Sequence, residues 1–125
     1  MTLLHPGVSV LALAAGLALA PCAAAAQSEA WDRADNIRAA AVEIAGVQKS
    51  KGADGADAAI RRCYEENVMR ATAYSQAAER CVTQDMIHAR VSAAFYAAIS
   101  PEVRKSTGSP APEAVMNAMS DRVVR

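Results

Sequence analysis

The chain has 125 residues, a length typical of one domain, and its 13 Lys and Arg residues balance 13 Asp and Glu residues. No basic cluster stands out along it, which argues against a nucleic-acid-binding or anionic-lipid-binding surface. Alanine dominates the hydrophobic residues, so we expect a small core that needs a disulfide or a partner for stability.

The N-terminal segment resembles a signal peptide. A 13-residue apolar run over 8–20 has the right length and is short for a membrane span, and all six leucines of the chain lie within or before it. Pro21 ends the run, and three alanines at 24–26 supply a cleavage pattern, although no Lys or Arg precedes the run. We therefore expect a signal peptide over 1–26 and one domain over 27–125, periplasmic or secreted in a bacterium. The alternative is an uncleaved apolar helix.

Cys22 offers a second form of export. The sequence Leu-Ala-Pro-Cys at 19–22 resembles the box in which bacterial lipoproteins carry their lipidated cysteine. In that alternative the protein is attached to a membrane through Cys22. Without lipidation we expect no membrane contact.

Capping residues and apolar spacing predict an all-α fold. The pattern indicates helices over 28–51, from the turn at 52–57 to about 70, over 76–99, over 101–108 and from 112 onward. Gly52 is expected to stop the first helix, Ser75 or Thr72 to cap the third, and Pro101 to open the short one. We therefore expect a small bundle of about four helices.

Several apolar stripes are expected to face the core of this bundle. On the third helix, Val91, Phe95 and Ile99 form a stripe beside the main apolar face. The other residues expected to face inward are Trp31, Ile37, Ala41, Ile44, Val47, Ile60, Cys63, Tyr64, Val68, Val82, Met86, Ala89, Ala93, Tyr96, Val115, Met116, Met119 and Val123.

Two cysteines remain in the expected mature chain, and their positions predict a disulfide. Cys63 and Cys81 each lie nine residues from Thr72, the centre of the connection between the second and third helices. Equal distances from the turn of an antiparallel hairpin place two residues side by side, with the alpha carbons about 4.4–6.8 Å apart. In an exported protein such a pair forms a structural bond worth about 3 kcal/mol. A redox pair would more often have the spacing C-x-x-C.

Asp85 and His88 are the candidate catalytic or metal-binding pair. They lie three apart on the third helix, and His88 is the only histidine after residue 26. A catalytic role would require a nucleophile, and a metal site would require further ligands. We expect both residues to be partly exposed on the helix surface. Known catalytic and phosphate-binding motifs are missing, so we expect no enzyme activity, cofactor, metal or small-molecule site.

The stretch from Cys81 resembles the LprI-type lysozyme-inhibitor N-terminal domain family. The family pattern runs from a cysteine through an acid and an alanine to a tyrosine, matched here by Cys81, Asp85, Ala89 and Tyr96 over about 16 residues. Tyr96 comes one residue early, and the family's Asp, Leu and Asn after the alanine are replaced by Arg90, Ala93 and Ala94. The resemblance implies a small exported helical module that inhibits a lysozyme.

These patterns together favour a non-enzymatic module of the cell envelope that binds an unidentified protein partner and is inhibitor-like in the sense of that resemblance. Tyr74, in the turn closed by the cysteines, is the candidate partner contact. The alternatives are a lipid-anchored envelope protein through Cys22, and a small enzyme or metal protein using Asp85 and His88.

Overall fold

The computed structural model describes residues 30–124, and over that range it contains four helices and no strand. The helices are α1 (Arg33–Asn67), α2 (Gln76–Ala97), α3 (Pro101–Thr107) and α4 (Pro112–Val124). The predicted all-α fold is confirmed. No helix in this range is long and apolar enough to cross a membrane. The predicted signal peptide and Cys22 lie outside the described residues. The predicted start of the first helix at residue 28 is wrong, because residues 30–32 are not helical and Asp32 caps a helix that begins at Arg33.

Helix α1 folds back on itself at Gly52. Gly52 has φ 69° and ψ −169°, a combination that only glycine adopts readily. In a straight helix, Gln48 and Asp57 would be about 14 Å apart along the axis. Both instead contact the side chain of His88, at 2.7 Å and 3.2 Å. α1 therefore consists of a first arm (33–51) and a second arm (53–67).

The predicted stop at Gly52 is thus confirmed, but the predicted six-residue turn over 52–57 is wrong. The second arm is helical from residue 53, so Asp54 and Asp57 lie inside a helix and not in a turn. Ile44 and Ile60 are each eight residues from Gly52, and both belong to one core cluster. A single glycine is enough to reverse the chain because its backbone conformation is not restricted by a side chain.

The two arms run in opposite directions along α2. Later residues of the first arm contact later residues of α2, so these two helices are parallel. Later residues of the second arm contact earlier residues of α2, so these two are antiparallel. The pairs are Asn36–Glu79, Glu43–Gln84 and Gln48–His88 for the first arm, and Asp57–His88 and Cys63–Cys81 for the second. The first three helical segments therefore form an up-down-up bundle.

Helix α4 is the fourth member of the bundle. α3, which follows α2, starts at Pro101 with Ser100 as its cap and ends at Gly108 with φ 67°, as predicted. The α3 side chain Arg104 donates to the carbonyl oxygens of Tyr96 and Ile99, which fixes α3 against the end of α2. α4 then runs back along α2, but none of its residues is fully buried.

The core is small, and alanines make up much of it beside a few larger side chains. Its central cluster consists of Ile44, Ala56, Ile60, Tyr64 and Cys81. Five residues predicted to face inward are exposed instead: Ile37 is 48% exposed, Met86 37%, Val91 52%, Phe95 63% and Val123 43%. The expected inward stripe of Val91 and Phe95 therefore faces solvent, because α1 and α4 already cover the other faces of α2.

Candidate functional site

The predicted disulfide is present and joins the second arm of α1 to α2. The alpha carbons of Cys63 and Cys81 are 5.5 Å apart, inside the range for this bond. Cys81 is fully buried within the core cluster, whereas Cys63 is partly exposed. The bond closes the hairpin formed by the second arm, the turn and the first part of α2.

Polar side chains are buried along the same face of α2. Glu79 accepts hydrogen bonds from the Trp31 indole and from Asn36 Nδ2, the latter at 2.9 Å, and Arg33 lies 3.4 Å away. The hydrogen bonds from Asn36 and Trp31 are the main reason that the pKa of Glu79 lies below its ordinary value, and Arg33 adds to the effect. This network attaches the beginning of the first arm to the beginning of α2.

Asp85 is fully buried, against the expectation that it lies partly exposed on the helix surface. Arg122 of α4 donates two hydrogen bonds to it, from Nε to Oδ2 at 2.9 Å and from Nη2 to Oδ1 at 2.6 Å. These bonds raise the pKa of Arg122. A buried carboxylate requires such a partner, because an isolated charge in the interior is strongly unfavourable. Asp85 is therefore the point at which α4 is attached to the bundle.

Tyr64 completes this buried group. Its hydroxyl is buried and makes no hydrogen bond of standard geometry. Burial raises the pKa of Tyr64, and the neighbouring Asp85 charge raises it further. The phenol therefore stays neutral beside the ion pair.

His88 is also buried, with both ring nitrogens occupied. Its Nε2 lies 3.2 Å from Asp57 Oδ1, and its Nδ1 lies 2.7 Å from Gln48 Nε2. In the tautomer that fits both partners, Nε2–H donates to Asp57 and Nδ1 accepts from Gln48. Ser92 lies one turn further along α2 and is not hydrogen-bonded to His88. No ring nitrogen is left to activate a nucleophile.

Asp85 and His88 thus connect the helices of the bundle, and the structure does not bring them together with further metal ligands. No group of three or more His, Cys, Asp or Glu side chains suited to a metal exists among residues 30–124. Asp85 is bonded to α4, whereas His88 joins both arms of α1 to α2.

A cleft of about 300 Å³ lies between the second arm of α1 and α4, with α2 as its floor. Its polar side chains are concentrated around His88, and alanines make up much of the remaining wall. The lining residues are Ala53, Asp54, Asp57, His88, Ala89, Ser92, Tyr96, Pro110, Ala114, Val115, Ala118 and Arg122. The size is at the lower end for ligand pockets.

The predicted contact residue Tyr74 lies in the turn before α2 and is 54% exposed. Its ring packs on Trp31 with centroids 6.1 Å apart, and Met69, also near this turn, is 76% exposed. Phe95 and Tyr96 form a separate edge-to-face pair with ring centroids 5.5 Å apart. The role of Tyr74 as a partner contact therefore stays a prediction.

A larger exposed apolar feature lies on α2 itself. Ile87, Val91 and Phe95 recur every four residues, and we call them the α2 stripe. Ile87 packs against the core, whereas Val91 and Phe95 lie in solvent. The stripe thus leads from the core outward to Val91 and Phe95, which are exposed within the described part of the chain although their spacing predicts an inward position.

The residues behind the family resemblance have structural roles in this chain. Cys81, Asp85 and Ala89 are all buried, as a disulfide partner, an ion-pair partner and a close-packing residue. Comparison with family models, curated proteins and solved structures finds no match to this chain. The resemblance to the lysozyme-inhibitor family therefore stays a prediction.

Sequence reasoning missed most of the buried polar side chains. Asn36, Glu79 and Gln84 are buried, and Arg122 was not recognised as a partner of Asp85. One signal was available: Asp85 lies four residues after Cys81 and four before Ala89, which places it at the centre of the most buried face of α2.

Proposed function

We propose that this protein is a non-enzymatic interaction module of the bacterial cell envelope and that the α2 stripe is its contact surface. The observation that carries the proposal is the position of Phe95. It is the only phenylalanine of the chain, and it is 63% exposed in a domain whose described core is rich in alanine.

Because the side chain of Phe95 is exposed, it does not give the fold the stabilisation that its burial would provide. Full burial of a phenylalanine side chain is worth about 1.5–3 kcal/mol, a large part of the stability of a small domain. Val91, one turn earlier on α2, is also exposed, and Arg90 lies near Ile87 at the other end of the stripe. Apolar surface with a charged rim is typical of a protein-binding site, where aromatic and Arg side chains contribute most.

The buried polar groups support the same proposal. The side chains with catalytic potential, Asp85 and His88, are engaged in bonds that hold the helices together. An inhibitor-like role is consistent with such a module, in which a rigid disulfide-linked hairpin presents an apolar contact. It can be tested by adding the purified protein to a lysozyme assay, where inhibition that Phe95→Ser removes would support it.

The direct test is a pull-down from envelope extract with three tagged proteins: the unmodified chain, Phe95→Ser and Met69→Ser. Met69 is the control because it is more exposed than Phe95 and lies near the turn, outside the α2 stripe. We expect the unmodified chain and Met69→Ser to retain the same partner and Phe95→Ser to lose it, with unchanged circular dichroism. Equal capture by Phe95→Ser, or no partner for a monodisperse unmodified chain, would overturn the proposal.

The envelope location rests on the sequence of residues 1–26, and mass spectrometry of the protein recovered from cells tests it. A mature chain that begins at Gln27 without acyl mass supports cleaved export. An acylated chain that begins at Cys22 would replace it with the lipid-anchored alternative.

A further inference from the structure

α2 and the second arm of α1 form a groove in which α4 lies on α2, and the cleft of about 300 Å³ separates α4 from the second arm. The chemistry that this groove accepts can therefore be deduced from α4 itself. The residues of α4 that line the cleft include Ala114, Ala118 and Arg122, spaced four residues apart. Such spacing places them along one face of the helix.

Only one of these three positions is strongly fixed. Arg122 makes two hydrogen bonds to Asp85, which is fully buried, so a helix in this groove must supply a cation at that point. Lysine would not reproduce the two parallel bonds of the guanidinium group.

The other two positions are filled poorly. Ala114 and Ala118 border the cleft of about 300 Å³, and no residue of α4 is fully buried. Both alanines are exposed at the edge of this open cleft, so longer apolar side chains at these positions would cover cleft surface that alanine does not reach.

The attachment of α4 to the remaining bundle is correspondingly limited. α4 packs against α2. The chain between α2 and α4 consists of α3, which has no buried residue, and a linker that contains Pro110. α4 therefore resembles a tethered ligand, whose binding benefits from a high effective concentration rather than from extensive burial.

We propose that this groove is a second interaction surface that accepts an amphipathic helix of a partner protein in place of α4. The partner helix carries large apolar residues at two positions four apart and an arginine four residues after the second. The arginine pairs with Asp85, and the apolar residues fill the cleft. This surface is separate from the α2 stripe, so its test can fail while the proposed function stands.

The test is a fluorescence-anisotropy titration of the full-length protein with labelled peptides that copy residues 112–124. One peptide carries Leu at the positions of Ala114 and Ala118, the second carries the same leucines and Gln at the position of Arg122, and the third is unmodified. We expect the leucine peptide to bind about tenfold tighter than either of the others. Comparable binding of the leucine peptide and its glutamine version would overturn the proposal, because it would mean apolar association without recognition by Asp85.

Two variants of the full chain complete the test. Arg122→Gln weakens the attachment of α4, so it should bind the leucine peptide more tightly than the unmodified chain does. Phe95→Ser leaves the groove intact and should bind the leucine peptide as tightly as the unmodified chain does. Loss of binding in Phe95→Ser would place the peptide on the α2 stripe and refute the groove assignment. A failure of Arg122→Gln to improve binding, with its helical circular dichroism retained, would show that α4 does not compete for the groove.

Discussion

Removal of the arginine at the end of α4 should destabilise the whole domain, because it leaves a charge buried in the bundle. In Arg122→Gln, the carboxylate of Asp85 loses two charge-assisted hydrogen bonds, at 2.9 Å and 2.6 Å, while its side chain stays fully enclosed. Breaking a buried ion pair by removing one partner typically costs about 3–5 kcal/mol.

The expected loss for this protein is near the lower limit of that range. The Arg122 side chain is 37% exposed, so water can reach the edge of the pair once the guanidinium is gone. We therefore expect about 3 kcal/mol, which lowers the Tm of a domain of this size by roughly 12–24 °C.

The matched variant is Asp85→Asn, which should cost less. It leaves Arg122 free to turn toward solvent, and an asparagine can still accept one hydrogen bond from the guanidinium group. We expect about 1–2 kcal/mol. The double variant should cost clearly less than the sum of the two single changes, with a coupling energy of about 1–3 kcal/mol.

Urea unfolding of the four proteins at neutral pH, followed by far-UV circular dichroism, measures these free energies of unfolding. A loss below about 0.5 kcal/mol in Arg122→Gln, or additive single changes, would refute a buried, coupled ion pair.

Three further changes probe the fold. Gly52→Ala should cost about 1–3 kcal/mol because residue 52 adopts φ 69° and ψ −169°, whereas Gly46→Ala, inside the first arm, should be neutral or stabilising; equal Tm values would refute the reversal at Gly52. Replacing Cys63 and Cys81 together by Ser should cost about 3 kcal/mol for the 18-residue loop, measured by thermal unfolding, and an unchanged Tm would contradict a stabilising bond. The pKa of Glu79 is lowered in the folded protein, so its contribution to the free energy of unfolding is present above pH 4.5 and is lost as the pH falls through the lowered pKa. Glu79→Gln should therefore lose less stability in acid than the unmodified chain does. Identical profiles of unfolding free energy against pH would exclude this contribution.

The sequence predicts the main features of the fold because they depend on local signals. Ser75, Gly52 and Pro101 act through their own backbone or nearest turn, so capping and stop rules locate them correctly. The pairing of Cys63 with Cys81 follows from symmetry about one turn, which is also short-range information.

The buried polar contacts could not be predicted because each depends on the relative placement of distant segments. Asp85 is paired with a residue 37 positions later, and His88 contacts Gln48 and Asp57 only because the chain reverses at Gly52. Helical periodicity reports which residues share a face, but it does not report which faces other helices cover. For this reason the spacing of Val91 and Phe95 predicts an inward position, whereas both residues are exposed.

Site-specific photo-crosslinking in intact cells is the most direct test of whether the α2 stripe contacts a partner protein. A photoreactive amino acid replaces Phe95 of the α2 stripe in one protein and Val42 in another; Val42 is 68% exposed on the first arm. If the α2 stripe is the contact surface, position 95 gives a discrete crosslinked protein band and position 42 gives none. The absence of a band at position 95, or the same band from both positions, would contradict the assignment of the α2 stripe as the contact surface.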